Sequence, residues 1–402
     1  MVKALWQPPR LRRDGEDSRE RRATWLELFY DLVFVAAIGQ LAHYLSAHLS
    51  VAGLISFGLF FIAIWWCWVG ATFYATRFDQ DAIPDRLITF VQMGIVATMA
   101  VNAHHGLAEG STGFALCYAL FRGILVGQYL VAGAYVPEVR ALTTRYSLGF
   151  GSSVVLWFLS IFVPVPWRYG LWLVGLLLDL GTPLTAGRIV ALVPPSLTHI
   201  PERIGLFTII VLGESIIAVV NGLAELEWGF EATLTALLGL SVAFSLWWLY
   251  FDSADGSPLR SMQRGKMHIG LAWLYAHLPL AASLAAAGVG VGRMIENGPG
   301  LPPEAGERWL LCGAIALSLV VLSGIHWMTC TLGTPQFRKV LSTYRLVAAG
   351  GVGLIGLGGD QLSSLSLVAI LAAVCALQVL LDLWRRAPQR RQQVPDLKSS
   401  DL

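Results

Sequence analysis

Twelve apolar stretches of about twenty residues, separated by short polar loops, leave this chain one class of fold. A segment of that kind satisfies its backbone groups in lipid only by closing them into a helix, so the expectation is all-α, a polytopic transmembrane helical bundle. The spans are predicted near 25–46, 53–75, 86–104, 113–134, 146–163 and 167–187. A second set lies near 204–222, 233–251, 268–291, 308–329, 343–358 and 363–384. Composition agrees: hydrophobic residues make up 55% and charged residues 13%, against about 25% charged in soluble domains.

Basic residues orient the bundle. With the N-terminus in the cytoplasm, 24 of the 28 Lys and Arg fall in inside segments, and the outside segments hold only Arg168, Arg293 and Arg308, with Arg122 inside a span. That is a positive-inside distribution, and it places both termini in the cytoplasm. The predicted organisation is a basic tail over 1–23, a first six-helix half over 24–190, a linker over 191–201 with Pro194-Pro195, a second half over 202–384, and a tail over 385–402. No signal peptide is expected, because the charged start runs into a full-length span instead of a short apolar region with a cleavage site; the first helix then serves as a signal-anchor. The five cysteines (Cys67, Cys117, Cys312, Cys330, Cys375) sit in or at the end of apolar runs without a CxxC pair, which argues against disulfides and zinc sites. A net charge of +2 without a basic stripe argues against nucleic acid, and the expected partner is the lipid bilayer. An oligomer is compatible with this reading.

The two halves resemble one another. Leu28-Phe29 matches Leu206-Phe207, Trp65-Trp66 matches Trp247-Trp248, Thr143 to Leu148 (TTRYSL) matches Ser342 to Leu346 (STYRL), and Leu177 to Leu180 (LLDL) matches Leu380 to Leu383 (LLDL), in the same order. Six helices per copy would give a parallel 6+6 internal repeat about an axis along the membrane normal, with a cavity between the halves as the natural binding place.

Acidic residues inside apolar spans are the functional candidates, because each costs a few kcal/mol in lipid unless it finds a partner, water or a ligand. Glu27 and Asp31 lie one turn apart on the first helix. They either contact a substrate or ion directly, or accept hydrogen bonds and pair with an arginine, and two carboxylates so close also make proton uptake chemically available. On the seventh helix, Pro201 suits the first turn and Glu202 complements the helix N-terminus. Arg203, Glu214, Asn221 and Glu225 fall along one line of that helix, with Glu214 near mid-membrane between Gly213 and Ser215. Glu214 is the strongest single candidate. Its structural alternative is an ion pair with Arg122, which lies with Gln128 in the fourth helix. Asp179 is a third acidic cavity candidate, whereas Asp382 is expected to pair at the interface with Arg385 and Arg386. His277 and His326 are either proton relays or satisfied hydrogen-bonders. Most of the fifteen tryptophans read as core packing and interface belts.

WLELFYDLVFVAAIGQLA from Trp25 and HIPERIGLFTIIVLGESI from His199 together resemble the bacterial low temperature requirement protein A family, over nearly the whole chain. Position by position, the family's acidic signatures fall on Glu27, Asp31, Glu202 and Glu214, with His199 and Arg203 as charge partners. The resemblance implies a multi-pass protein of the bacterial plasma membrane, associated by name with growth in the cold, and supplies no biochemical activity. ELFYDLVFVAAI is also similar to the Phe-Ser-Asp first-helix motif of the endolysosomal potassium channels built from two six-helix repeats, but Tyr30 replaces the Ser and the seventh helix lacks a second copy.

These readings favour a transporter or channel, with Glu27, Asp31 and Glu214 forming a site for a cation, a proton-coupled solute or a cationic small molecule. The alternatives are a membrane enzyme or enzyme partner acting on lipid, in which paired carboxylates do acid-base work, and a membrane sensor or scaffold. No HExxH, GxSxG or Walker motif supports catalysis, and nothing implies a particular cofactor.

Overall fold

The computed structural model describes residues 7–12, 23–78, 82–190, 193, 196, 198–224, 229–252, 256–263, 265–329 and 334–393. Part of the predicted linker, including Pro194-Pro195, lies outside them, as do Cys330 and Glu225. Fifteen α-helices follow one another: α1 (Trp25–Ala47), α2 (Val51–Arg77), α3 (Ile83–His104), α4 (Gly106–Glu109), α5 (Ser111–Tyr135), α6 (Arg140–Ser160), α7 (Trp167–Thr185) and α8 (Gly187–Val190). They continue as α9 (His199–Ala224), α10 (Phe230–Phe251), α11 (Ser257–Gln263), α12 (Met267–Glu296), α13 (Ala305–Met328), α14 (Pro335–Gly358) and α15 (Ser364–Gln393). Among the described residues there is no strand, only an isolated antiparallel bridge between Leu11 and Phe78.

Among the described residues ten helices are long and apolar enough to cross a membrane: α1, α2, α3, α5, α9, α10, α12, α13, α14 and α15 as far as Arg385. The helices α6 and α7, of 21 and 19 residues, have the length. Their composition falls short because α6 opens on Arg140, Thr143, Thr144 and Arg145 and α7 carries Arg168, Asp179 and Pro183. Helix starts are set by local chemistry. Thr24 and Glu27 form a reciprocal capping box at α1, Ser50 accepts from the Gly53 N–H at α2, and Thr334 caps α14 ahead of Pro335.

Two compact units can be drawn. The first contains α1 to α8, α9 as far as Glu214, α11, and α12 as far as Val289. Its interior is aromatic: Trp157 stacks on Trp172 at 4.7 Å, and Tyr118 packs tilted against Trp157 at 4.1 Å and Phe60 against Phe114 at 4.6 Å. Small residues let α6 and α7 close on one another. A Cβ at Gly149 would lie 2.1 Å from the Thr182 hydroxyl, and one at Gly175 would lie 2.7 Å from the Trp157 indole nitrogen.

The second unit contains the rest of α9 and α12 with α10, α13, α14 and α15. There α13 and α14 are joined by reciprocal 3.0 Å bonds, each hydroxyl of Ser323 and Ser342 donating to the other's carbonyl. At the start of α13, Glu307 takes Arg293 at 2.9 Å together with the Asn297 amide.

Burial is inside-out, as lipid demands. Phe29, Leu32, Phe90, Leu130, Leu354 and Leu357 are all more than half exposed. The tryptophans divide as predicted between packing (Trp65, Trp66, Trp68, Trp157, Trp172, Trp273, all buried) and exposed positions near helix ends (Trp25, Trp167, Trp327, Trp384). Trp247 is exposed, unlike Trp65 and Trp66, to which the sequence matches its pair.

Candidate functional site

The helices α1 and α9 start together in the first unit and climb in parallel. Glu27 faces His199, Asp31 faces Arg203, and Gly39 faces Glu214. Side chains one turn apart on each helix therefore meet in register, and the acidic residues of α1 meet the basic ones at the start of α9.

At the lower level Asp31 is fully buried and accepts two bonds on Oδ1, from the Arg203 guanidinium at 2.6 Å and from the Trp68 indole at 2.8 Å. Its Oδ2 is buried and has no hydrogen-bond partner among the described residues. Glu27 reaches three groups. Its Oε2 accepts from the Thr24 backbone N–H at 2.8 Å and lies 3.7 Å from Arg203, while its Oε1 is 3.3 Å from the His199 ring. Glu202 lies 3.7 Å from the other ring nitrogen of His199 and accepts from the Ala23 N–H. Trp68, which sequence reading assigned only to packing, stacks on Phe207 of α9 at 4.3 Å and so locks the indole that binds Asp31. Beside this cluster a polar relay crosses three helices: Tyr30 donates to Gln92, whose amide donates to Gln128.

Glu214 occupies a different level. It is 8% exposed, and among the described residues no hydrogen bond or ion pair reaches its carboxylate. A Cβ at Gly39 would lie 3.1 Å from its Oε1, so the carboxylate lies directly over the bare backbone of α1. Gly39 is eight residues beyond Asp31, about 12 Å further along α1 at 1.5 Å per residue. The three acids thus share one helix pair without forming one constellation.

The remaining candidates resolve into ion pairs or surface positions. Arg122 does not reach Glu214. It is fully buried on Asp179 at 2.6 Å, and Asp179 also accepts from Tyr118 at 2.5 Å and Ser153 at 2.9 Å. Asp179 is therefore a neutralised group in an aromatic core and not a free cavity carboxylate, since pairing and two further donors offset its desolvation. Asp382 pairs with buried Arg345 at 2.5 Å, while Arg385, its expected partner, donates to the Tyr344 hydroxyl. Asn221 is exposed, so the line drawn through Arg203 and Glu214 does not extend to it as a buried stripe. His277 and His326 sit against backbone carbonyls, of Trp273 at 2.7 Å and Leu249 at 3.0 Å. Trp68, Tyr118 and Ser153, the donors that complete the carboxylate sites, carry no sequence signal, because each comes from a different helix than its carboxylate.

Comparison with known proteins adds the following. A family profile described as Bacterial low temperature requirement A protein matches residues 22–383. An uncharacterized protein of Rhizobium meliloti (strain 1021) is 26% identical over 331 residues, which is 78% of each chain. No solved structure matches the chain.

Proposed function

The chain belongs to the bacterial low temperature requirement A family, and from that premise we propose that it is a plasma-membrane transporter or channel whose proton or small cation engages Glu214. One comparison carries this reading. Four buried acids lie beyond the first turn of the long described helices: Asp31, Asp179, Glu214 and Asp382. Three of them hold an arginine, Arg203, Arg122 and Arg345 respectively, and are neutral as pairs. Among the described residues Glu214 has no such partner. A carboxylate at that depth persists only with a proton or a cation on it, and a group that must take up a cation is what translocation needs. The Glu27–Asp31–Arg203–His199 cluster at the start of the same helix pair offers two carboxylates to one guanidinium, an acidic approach to Glu214 from the cytoplasmic end.

The decisive experiment is flux. Purified protein in liposomes should dissipate an imposed gradient of protons or of a monovalent cation, and vesicles no leakier than protein-free controls under every gradient would remove the reading. Gly39→Ala tests the site itself, because its methyl would crowd the carboxylate at 3.1 Å. Flux should fall several-fold while the melting temperature barely moves. An unchanged rate would place Glu214 off the path.

Topologically, the proposal includes twelve crossings, with both termini cytoplasmic. Asp179 and Asp382, matched in the sequence repeat, each take an arginine within their own unit, which supports the 6+6 reading. Because α6 and α7 would leave or enter the bilayer as a pair, omitting both leaves every later loop on the same side. The loop between them is the discriminating position. An alkaline-phosphatase fusion after Val163 should be active, and one after Asp382 inactive. An inactive Val163 fusion would reduce the count to ten.

A further inference from the structure

The atoms around Glu214 narrow what this acid can take up. A metal ion that leaves water at the depth of α9 must replace its hydration shell with about six oxygens. Membrane proteins supply them from unwound backbone, from hydroxyls and from further carboxylates. The helix pair that holds Glu214 supplies none of these. Both helices run unbroken past its level, α1 from Trp25 to Ala47 and α9 from His199 to Ala224, so their backbone carbonyls are committed to the helical ladder.

The side chains repeat the point. One turn either way on α9 stand Ile210, Val211, Ile217 and Ala218, none of which carries an oxygen. Ser215, the next residue, points about 100° away around the helix. On α1, Gln40 is exposed, and His43, one turn beyond Gly39, stacks on His104 of α3 at 5.3 Å. Among the described residues no group of three or more acidic, His or Cys side chains is placed to hold a metal ion. Room is short as well. A Cβ at Gly39 would lie 3.1 Å from Oε1 and 3.4 Å from Oε2, so the gap over α1 is one methyl wide. An ammonium or guanidinium does not fit on that side. A proton needs one oxygen and no added space, and it leaves the carboxyl uncharged.

We propose that the cation taken up by Glu214 is the proton, held on one carboxyl oxygen, and that no metal ion or organic cation replaces it; this rests on the transport reading, whose cation it names. The O–H bond breaks as water takes the proton to become hydronium, and hydronium arriving from the other side restores it. Each passage moves one positive charge and changes nothing else.

Dicyclohexylcarbodiimide tests the site on the parent protein, with no variant to fold. This apolar reagent arrives through lipid, and α9 turns the exposed Ile209, Ile216 and Ile217 outward beside the carboxyl. It reacts with an acid that carries its own proton: the proton moves to a carbodiimide nitrogen while the carboxyl oxygen adds to the central carbon. The full chain in liposomes should form one adduct, on the peptide that contains Glu214, and the arginine-paired Asp31, Asp179 and Asp382 should stay unmodified. The rate should hold within twofold when sodium or potassium chloride replaces choline chloride at constant ionic strength. Greater slowing by either salt would put a metal ion on the carboxylate and overturn the proposal. No adduct at Glu214, or equal modification of the paired acids, would overturn it too. Flux in the same liposomes keeps the two readings apart. Salt-independent labelling of a protein that carries no flux would remove the transport reading and leave the protonated acid, whereas flux together with salt-blocked labelling would remove the proton and leave transport.

Discussion

Arg122→Ala is expected to destabilise the protein by about 3–5 kcal/mol, the cost of leaving a buried charge without its partner. Asp179 is fully buried and would retain only the Tyr118 and Ser153 hydroxyls as donors. The surroundings cannot relax to readmit water cheaply. The guanidinium is fitted against Gly70, where a Cβ would lie 2.6 Å from its Nη1, and it lies over Phe150 at 4.3 Å. The double variant Arg122→Met/Asp179→Leu removes both charges and keeps most of the volume, so it should recover the larger part of the loss. Thermal melts of Arg122→Met, Asp179→Leu and the double variant, treated as a cycle, should give a coupling of several kcal/mol. The double variant should also keep its flux, since the pair is a strut between α5 and α7 and not a step on the proposed path. A single variant that melts within about 1 kcal/mol of the parent would show that the pair is not isolated from water.

This pair also marks where sequence reading stops. Burial cost alone said that Arg122 needed an acid, and depth along the helices placed Glu214 and Asp179 near mid-bilayer. Depth does not say which helices are neighbours. Glu214 was therefore the partner expected for Arg122, and Asp179 a cavity candidate, until Phe114 and Tyr118 of α5 were seen to pack on the Trp172–Trp157 pair of α7 and α6. The same limit governs Asp382. Its near neighbours in sequence, Arg385 and Arg386, suggested an interfacial pair, but the side chain turns inward to Arg345 of α14. What is set within one helix was legible. The positions of the long apolar helices and the inward turn of Asp31 follow from the periodicity of one segment. The stripe on α9 was legible as a direction only. Asn221 lies on that line yet is exposed, because at its level the helix buries Val219 and Gly222, the latter against Ile295.

Glu214→Gln should abolish flux, by tenfold at least, with little change in thermal stability. Gln keeps the size and the hydrogen-bonding capacity of the side chain and removes only its ability to carry charge or exchange a proton. For the paired acids that change is expensive: Asp31→Asn would leave Arg203 buried on Glu27 alone, at 3.7 Å, and should unfold the start of the α1–α9 pair. Among the described residues Glu214 has no cation to strand, so its neutralisation carries no such cost and slightly lowers the cost of placing the residue in lipid. Stability and activity therefore separate the two kinds of acid: at Asp31 they should fall together, and at Glu214 activity should fall alone. If Glu214→Gln melts as early as Arg122→Ala, an unrecognised cationic partner holds the carboxylate. If it conducts like the parent, the charge at Glu214 takes no part in translocation, and the acidic cluster around Glu27 and Asp31 would be a structural clamp at the start of two helices.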